Sequence, residues 1–214
     1  MPATNNQAAL AAARELFEKT FGEISSNAKV LAVHAPGRSE ISGNHTDHEG
    51  GHVIAGALDV AVDGVAVANG TNVVRVIDAN FPLVEVDLSD LSVREDERET
   101  TAALVRGMAF ELARTGRTPA GFDFASICTV PAGGGLSSSA AVEAAYGRAM
   151  EALWEGPSID PVELAKMSQF AENRYFGKPC GLMDQAAVCL GGLAYMDFEV
   201  PSEPKTAKLD FDFD

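Results

Sequence analysis

The chain has 214 residues, room for one large domain or two small ones, and its 46% hydrophobic content is enough for a packed core. A formal net charge of −15 disfavours nucleic acid and anionic membranes as partners, although a local site can still reverse that field for an anionic ligand. Three cysteines without CxxC spacing (Cys128, Cys180, Cys189) argue against a disulfide framework or zinc site and for a reducing cytoplasm; Met1–Leu10 lacks a secretory pattern, and no apolar run is long enough to span a bilayer.

Asn6–Phe21 reads as a helix, with Leu10, Ala13, Leu16, Phe17 and Phe21 at helical spacing and Gly22 as its stop. Val30–Ala35 reads as a strand ended by Pro36-Gly37. Arg38–Gly51 is polar and aperiodic, a loop or short helix. Val53–Ala57, Asp59–Ala68, Val73–Asp78 and Val84–Leu88 read as strands, with Gly70, Asn80 and Pro82 marking turns. Arg98–Arg114 is an amphipathic helix, and Phe122–Val130 a strand. The glycine-rich stretch Pro131–Ala141 leads into a helix spanning about Ser137–Trp154. Pro161–Arg174 is a helix with Asp160 as cap and Pro161 at its first position. Met183–Leu190 reads as helical and Leu193–Phe198 as a strand. Lys208–Asp214 alternates apolar and acidic residues like a strand and stops without a turn, which suggests a truncated chain.

Pro131–Ala141 joins a strand to a helix. Gly133, Gly134 and Gly135 let the backbone curve tightly and approach a ligand. Leu136 follows, and Ser137, Ser138 and Ser139 put hydroxyls beside the unpaired N–H groups of the helix start, where the helix dipole is positive. That combination makes a phosphate site without a lysine. A capped turn needs only one serine. The segment lacks the GK[ST] ending of a Walker loop and the G-x-S-x-G spacing of a nucleophile elbow.

Arg38–Gly51 offers the hydrogen-bonding groups a sugar needs: Asp47 as acceptor, Asn44 and His45 as mixed groups. Arg38 is a fixed cation for a phosphate or a carboxylate. A solvated loop and a metal site at His45-x-Asp47-His48 are the competing readings, the latter with only His34 and His52 left as further histidines. Asp184 lies among Gly181, Leu182, Met183, Ala186 and Ala187, so partial burial is expected, with Arg38 a candidate partner.

Three segments in order resemble the galactokinase branch of the GHMP kinases: Gly37–Gly51 resembles GRxNLIGEHTDYxGG, Pro131–Ala141 resembles PxGxGLSSSAA, and Glu172–Gln185 resembles E-x-x-x-x-G-x-x-C-G-I-M-D-Q. The resemblance implies an α/β fold of α+β type, a mixed sheet with helices packed on it, like ribosomal protein S5 domain 2. Residues 1–214 would be the N-terminal GHMP domain, with the C-terminal domain missing. By residue-wise carry-over, Asp184 matches the catalytic aspartate and Arg38 the arginine that steadies it. Gly133 to Ser139 match the ATP phosphate cradle, and Ser139 and Glu172 match magnesium ligands. Asn44, His45, Asp47, Gly181 and Asp184 match sugar-contact positions. The implied reaction is ATP- and Mg2+-dependent phosphorylation of a hexose, galactose first, at its anomeric hydroxyl.

The sequence departs from the pattern at Glu40 (asparagine in the signature), Ser42 (isoleucine), His48 (tyrosine) and Asn44 (glutamate). The last change, with the H-x-D-H-x-G-G form, also resembles plant galacturonate kinases and raises a uronic-acid substrate as the alternative. Thr101 stands where galactokinases often place a tryptophan against adenine, ahead of Val105-Arg106-Gly107. The family's G-G-G-F-G-G type motif does not occur, so the piece alone is expected to be inactive. A sugar sensor without turnover and a metal hydrolase around His45 and Asp47 are the rival functions.

Overall fold

The computed structural model describes residues 3–210, with side chains from Asn6 onward. Seven strands form one mixed sheet: β1 (Val30–Ser42), β2 (His52–Ala68), β3 (Val73–Asp78), β4 (Phe81–Asp87), β5 (Phe122–Cys128), β6 (Leu193–Asp197) and β7 (Lys205–Lys208). Five α-helices accompany it: α1 (Ala3–Phe21), α2 (Thr101–Arg114), α3 (Ser138–Leu153), α4 (Pro161–Phe170) and α5 (Met183–Leu190). The strand order is β4-β3-β5-β2-β6-β7, with β1 paired to β2; only the β3–β5 pair is parallel, closed by the crossover helix α2.

Alternation along the strands separates two faces. Val62 and Ala66 of β2, with Phe122 and Phe124 of β5, join the core under α2 and α3, while Val65 and Ala125 meet Ala13 and Phe17 of α1 on the other face. A smaller core joins Val53, Ala55, Met196 and Phe198 to Leu182, Met183 and Ala186 around α5.

Two strand boundaries differ from the sequence reading. Pro36-Gly37 does not end β1; the strand passes through them with a register shift between Pro36 and Arg38 and another between Glu40 and Ser42. A bulge accommodates a proline that cannot donate to a ladder. Arg38 therefore sits on a strand, not in a loop. Likewise Leu58 does not break β2. β1 pairs with both halves of β2 but skips residues 58–60 between them, and β5 and β6 divide the other edge, one at each end. The gap between them, opposite the middle of β2, faces the loop that follows β5.

Other differences are smaller. The Pro161–Arg174 helix widens into a π-helical turn at Ala171–Phe176. The terminal strand is Lys205–Lys208, ahead of the alternating segment; Leu209 and Asp210 are not in a strand, and residues 211–214 lie outside the described residues.

Candidate active site

The start of α5 is the meeting point. Asp184, in its first turn, receives three hydrogen bonds: from Arg38 Nε to Oδ1 at 2.8 Å, from Arg38 Nη2 to Oδ1 at 2.5 Å, and from Ser137 Oγ to Oδ2 at 2.6 Å. Arg38 is 4% exposed while the Asp184 side chain keeps 34% exposure, so the arginine is buried and the carboxylate stays open to solvent; Nη1 holds the arginine further by donating to Gly135 O at 2.6 Å. The Arg38 backbone N–H donates to Leu136 O at 3.1 Å, which stitches the bulged part of β1 to the glycine loop. The partner proposed for Asp184 from the sequence is the one observed.

The glycine loop is exposed from Pro131 to Gly135, and Gly133 and Gly135 have φ of 70° and 71°, the left-handed region glycine tolerates. Ser137, at the N-cap of α3, is left-handed too and caps nothing: its hydroxyl goes to Asp184 instead. The N–H groups at the start of this 16-residue helix are thus not taken by that serine. Ser139 Oγ donates to Glu172 Oε1 at 2.9 Å, which joins α3 to the π-helical turn; wide turns of this kind recur at functional sites.

Beneath Glu172 lies a group the sequence reading missed. Gln185 Nε2 donates to Glu172 Oε2 at 2.7 Å and to Glu143 Oε2 at 3.4 Å, and Lys178 Nζ stands 3.3 Å from Glu172 Oε1. Glu143 and Gln185 are fully buried, and one oxygen of each, Glu143 Oε1 and Gln185 Oε1, has no partner. Burial, then the charge of Glu172, pushes the Glu143 carboxyl well above the usual glutamate range. One signal was present in the sequence: an acid in the apolar run Ala140–Ala145.

The sugar-signature turn approaches α5 from the other side. Asp47 is 5% exposed, and its Oδ2 accepts from Met183 N at 3.1 Å, a carboxylate set on a helix start. A Cβ on Gly181 would lie 1.8 Å from that same oxygen, so any larger residue there must displace the Asp47 carboxylate. Asn44 and His45 are exposed, both left-handed with φ of 60° and 53°, and follow Gly43 at φ 128°. Left-handed backbone costs non-glycine residues roughly 1–2 kcal/mol each, so the turn needs support. Thr46 Oγ1 donates to Gly43 O at 2.8 Å, and Glu40 takes the His45 N–H. The structure thus brings Arg38, Asp184 and Ser137 together, Ser139 with Glu172, and Asp47 with Gly181.

Beside the loop, Ser138 and Ser139 also line an apolar cavity of about 160 Å³, walled by Val62, Val76, Leu104 and Val142 and by Thr101, the position noted against adenine. Among the described residues no three or more His, Cys, Asp or Glu side chains are grouped to hold a metal ion. All three cysteines are free, and no helix of the described residues is long and apolar enough to cross a membrane.

Comparison with known proteins gives the family. The model for the GHMP kinases N terminal domain matches residues 103–192, and that for the galactokinase galactose-binding signature matches residues 15–67. Galactokinase of Bacillus subtilis is 34% identical over 180 residues, covering 82% of this chain and 45% of that protein. Galactokinase of Lactiplantibacillus plantarum is 37% identical over 161 residues, covering 73% of this chain and 41% of that protein. The chain therefore spans a little under half the length of these curated relatives. The crystal structure of Lactococcus lactis galactokinase complexed with galactose superposes with a TM-score of 0.83 at 27% identity, over 94% of this chain and 52% of that one. Methanococcus jannaschii mevalonate kinase shares the fold at a TM-score of 0.69 and 14% identity, over 89% of this chain and 58% of that one. The chain belongs to the galactokinase branch of the GHMP kinases and matches that family's N-terminal domain.

Proposed function

We propose that the protein phosphorylates galactose at its anomeric hydroxyl with ATP, and that residues 1–214 are the N-terminal domain of the kinase. The observation that carries this reading is the Arg38–Asp184–Ser137 cluster, which lies where the galactose-signature turn and the glycine loop converge on α5.

In this reading Asp184 accepts the proton of the sugar hydroxyl, a general-base role that needs a carboxylate fixed within hydrogen-bond reach. Arg38 fixes it and adds a cation beside the transferring phosphoryl group. Gly133, Gly134, Gly135, Leu136, Ser137, Ser138 and Ser139 cradle the phosphates with backbone N–H groups and the start of α3. The apolar cavity beside Ser138 and Ser139 takes the base, with Thr101 in its wall. Ser139 and Glu172, two oxygen donors already 2.9 Å apart, suit magnesium. When bound, the ion neutralises charge on the phosphate oxygens. Asn44, His45, Asp47 and Gly181 face the sugar.

The uronate alternative rests on Asn44, which lacks the charge of a glutamate. Against it, each basic side chain near the turn already faces an acid: Arg38 with Asp184, His45 with Glu40 at 3.3 Å, and His48 with Asp47 at 3.5 Å. A substrate carboxylate would have to compete for one of them, so a neutral hexose fits better. A coupled ADP-release assay of the whole protein against galactose, galacturonate and a hexose panel tests both readings. Turnover with galactose is expected. Turnover with galacturonate alone would reverse the choice of sugar, and binding of sugar and ATP without ADP release would favour the sensor.

A further inference from the structure

We propose that Glu40 is a positioning residue that presets the sugar-facing turn Gly43–Asp47 before any sugar arrives. The inference rests on the sugar reading of that turn and deepens it. Glu40 stands at the second register shift of β1, where a bulge redirects the strand. Its side chain is 13% exposed, and both oxygens converge on one group: His45 N donates to Oε1 at 3.1 Å and to Oε2 at 3.2 Å. The imidazole of the same residue returns to the carboxylate, His45 Nε2 lying 3.3 Å from Oε2.

What this carboxylate holds is the part of the turn with the least conformational support of its own. Gly43, Asn44 and His45 have positive φ in succession, and the short 3₁₀ turn Thr46–Glu49 starts from His45 without a side-chain cap. Asp47 is anchored independently by Met183 N. Glu40 therefore governs Asn44 and His45, the two exposed sugar-side groups, and not the buried one. An anionic acceptor on a backbone N–H is stronger than a neutral one, and its reach is set by two methylenes. Loss of the acceptor frees the 44–45 backbone to return to ordinary conformations, so that binding sugar must then reorder it.

The test is calorimetric titration of the full chain with galactose, and separately with Mg·ADP, in wild type, Glu40→Ala, Glu40→Asp and Glu40→Gln. Alanine removes the acceptor, and aspartate keeps the charge but shortens the reach. Both should weaken galactose roughly tenfold or more and leave Mg·ADP within about twofold. Glutamine retains an acceptor oxygen and should stay within about threefold of wild type for galactose. Amide exchange at His45 should quicken in Glu40→Ala without sugar present. Unchanged galactose affinity in Glu40→Asp, or equal losses for galactose and Mg·ADP, overturns the proposal; if Glu40→Ala does not fold, Glu40→Asp decides. A wild type that binds no sugar of the panel instead overturns the sugar reading on which the proposal stands.

Discussion

The two halves of the site reach α5 by opposite means. On the proposed phosphate side, the backbone from Pro131 to Gly135 is exposed, and Ser137 and Ser139 are bonded across the site to Asp184 and Glu172 rather than to their own helix. On the proposed sugar side, side chains hold the backbone: Glu40 on His45 N, Thr46 Oγ1 on Gly43 O, and Asp47 buried against Gly181 and Met183. A phosphate is recognised by N–H groups and a helix dipole, so its cradle can be nearly bare backbone. A sugar is told apart by separate hydroxyls, each wanting a placed donor or acceptor, so its wall must be rigid.

Asp184 belongs to both halves in the proposed reading, and removing its charge is the hardest blow to the comparison. Asp184→Asn should lower turnover by roughly 10³-fold while galactose and nucleotide still bind, which single-turnover kinetics beside titration would check. Equal loss of turnover and of sugar binding would make Asp184 a structural part of the sugar wall instead.

Arg38→Ala comes next. It removes a cation from the phosphate side and leaves Asp184 with one of its three donors, so turnover should fall roughly 10²-fold with a smaller change in sugar affinity.

Gly181→Ala strikes the sugar side alone. The new Cβ must displace Asp47 Oδ2 from the Met183 N–H, at a cost of about 1–3 kcal/mol in a denaturant melt, and galactose affinity should drop while Mg·ADP binding holds.

The smallest effect is under Glu172. Folding raises the Glu143 pKa, so at pH values above the ordinary glutamate range the folded protein binds a proton that the unfolded chain has released. Stability from this group is therefore lost as pH rises. Glu143→Gln carries no such dependence, and its melting temperature should gain on wild type by about a few degrees between about pH 5 and about pH 8. A constant gap would mean that Glu143 titrates normally.

Much of the fold was legible because it is written in local periodicity. β3 came out at its observed bounds, and α3, α5 and the glycine loop within a residue or so, since apolar spacing and glycine placement act over a few residues. The continuity of β1 through Pro36-Gly37 was not legible: a proline reads as a stop unless a neighbouring strand supplies a bulge. β2 likewise runs on through the break read at Leu58: residues 58–60 have no partner on β1, and the strand continues between two halves that are paired on either side of them.

The site divides along the same line. By itself the sequence determined which residue types are present and in what motif order: a bare glycine loop with serines at a helix start, a polar turn with an acid, and a carboxylate in an apolar setting. Only the tertiary structure decided that Arg38 and Asp184, 146 positions apart, form one ion pair with a buried arginine, that Asp47 is a buried anchor on Met183 N, and that Glu143 and Gln185 lie beneath Glu172. Burial and hydrogen-bond partnership are properties of what the rest of the chain places around a side chain, and no local pattern encodes them.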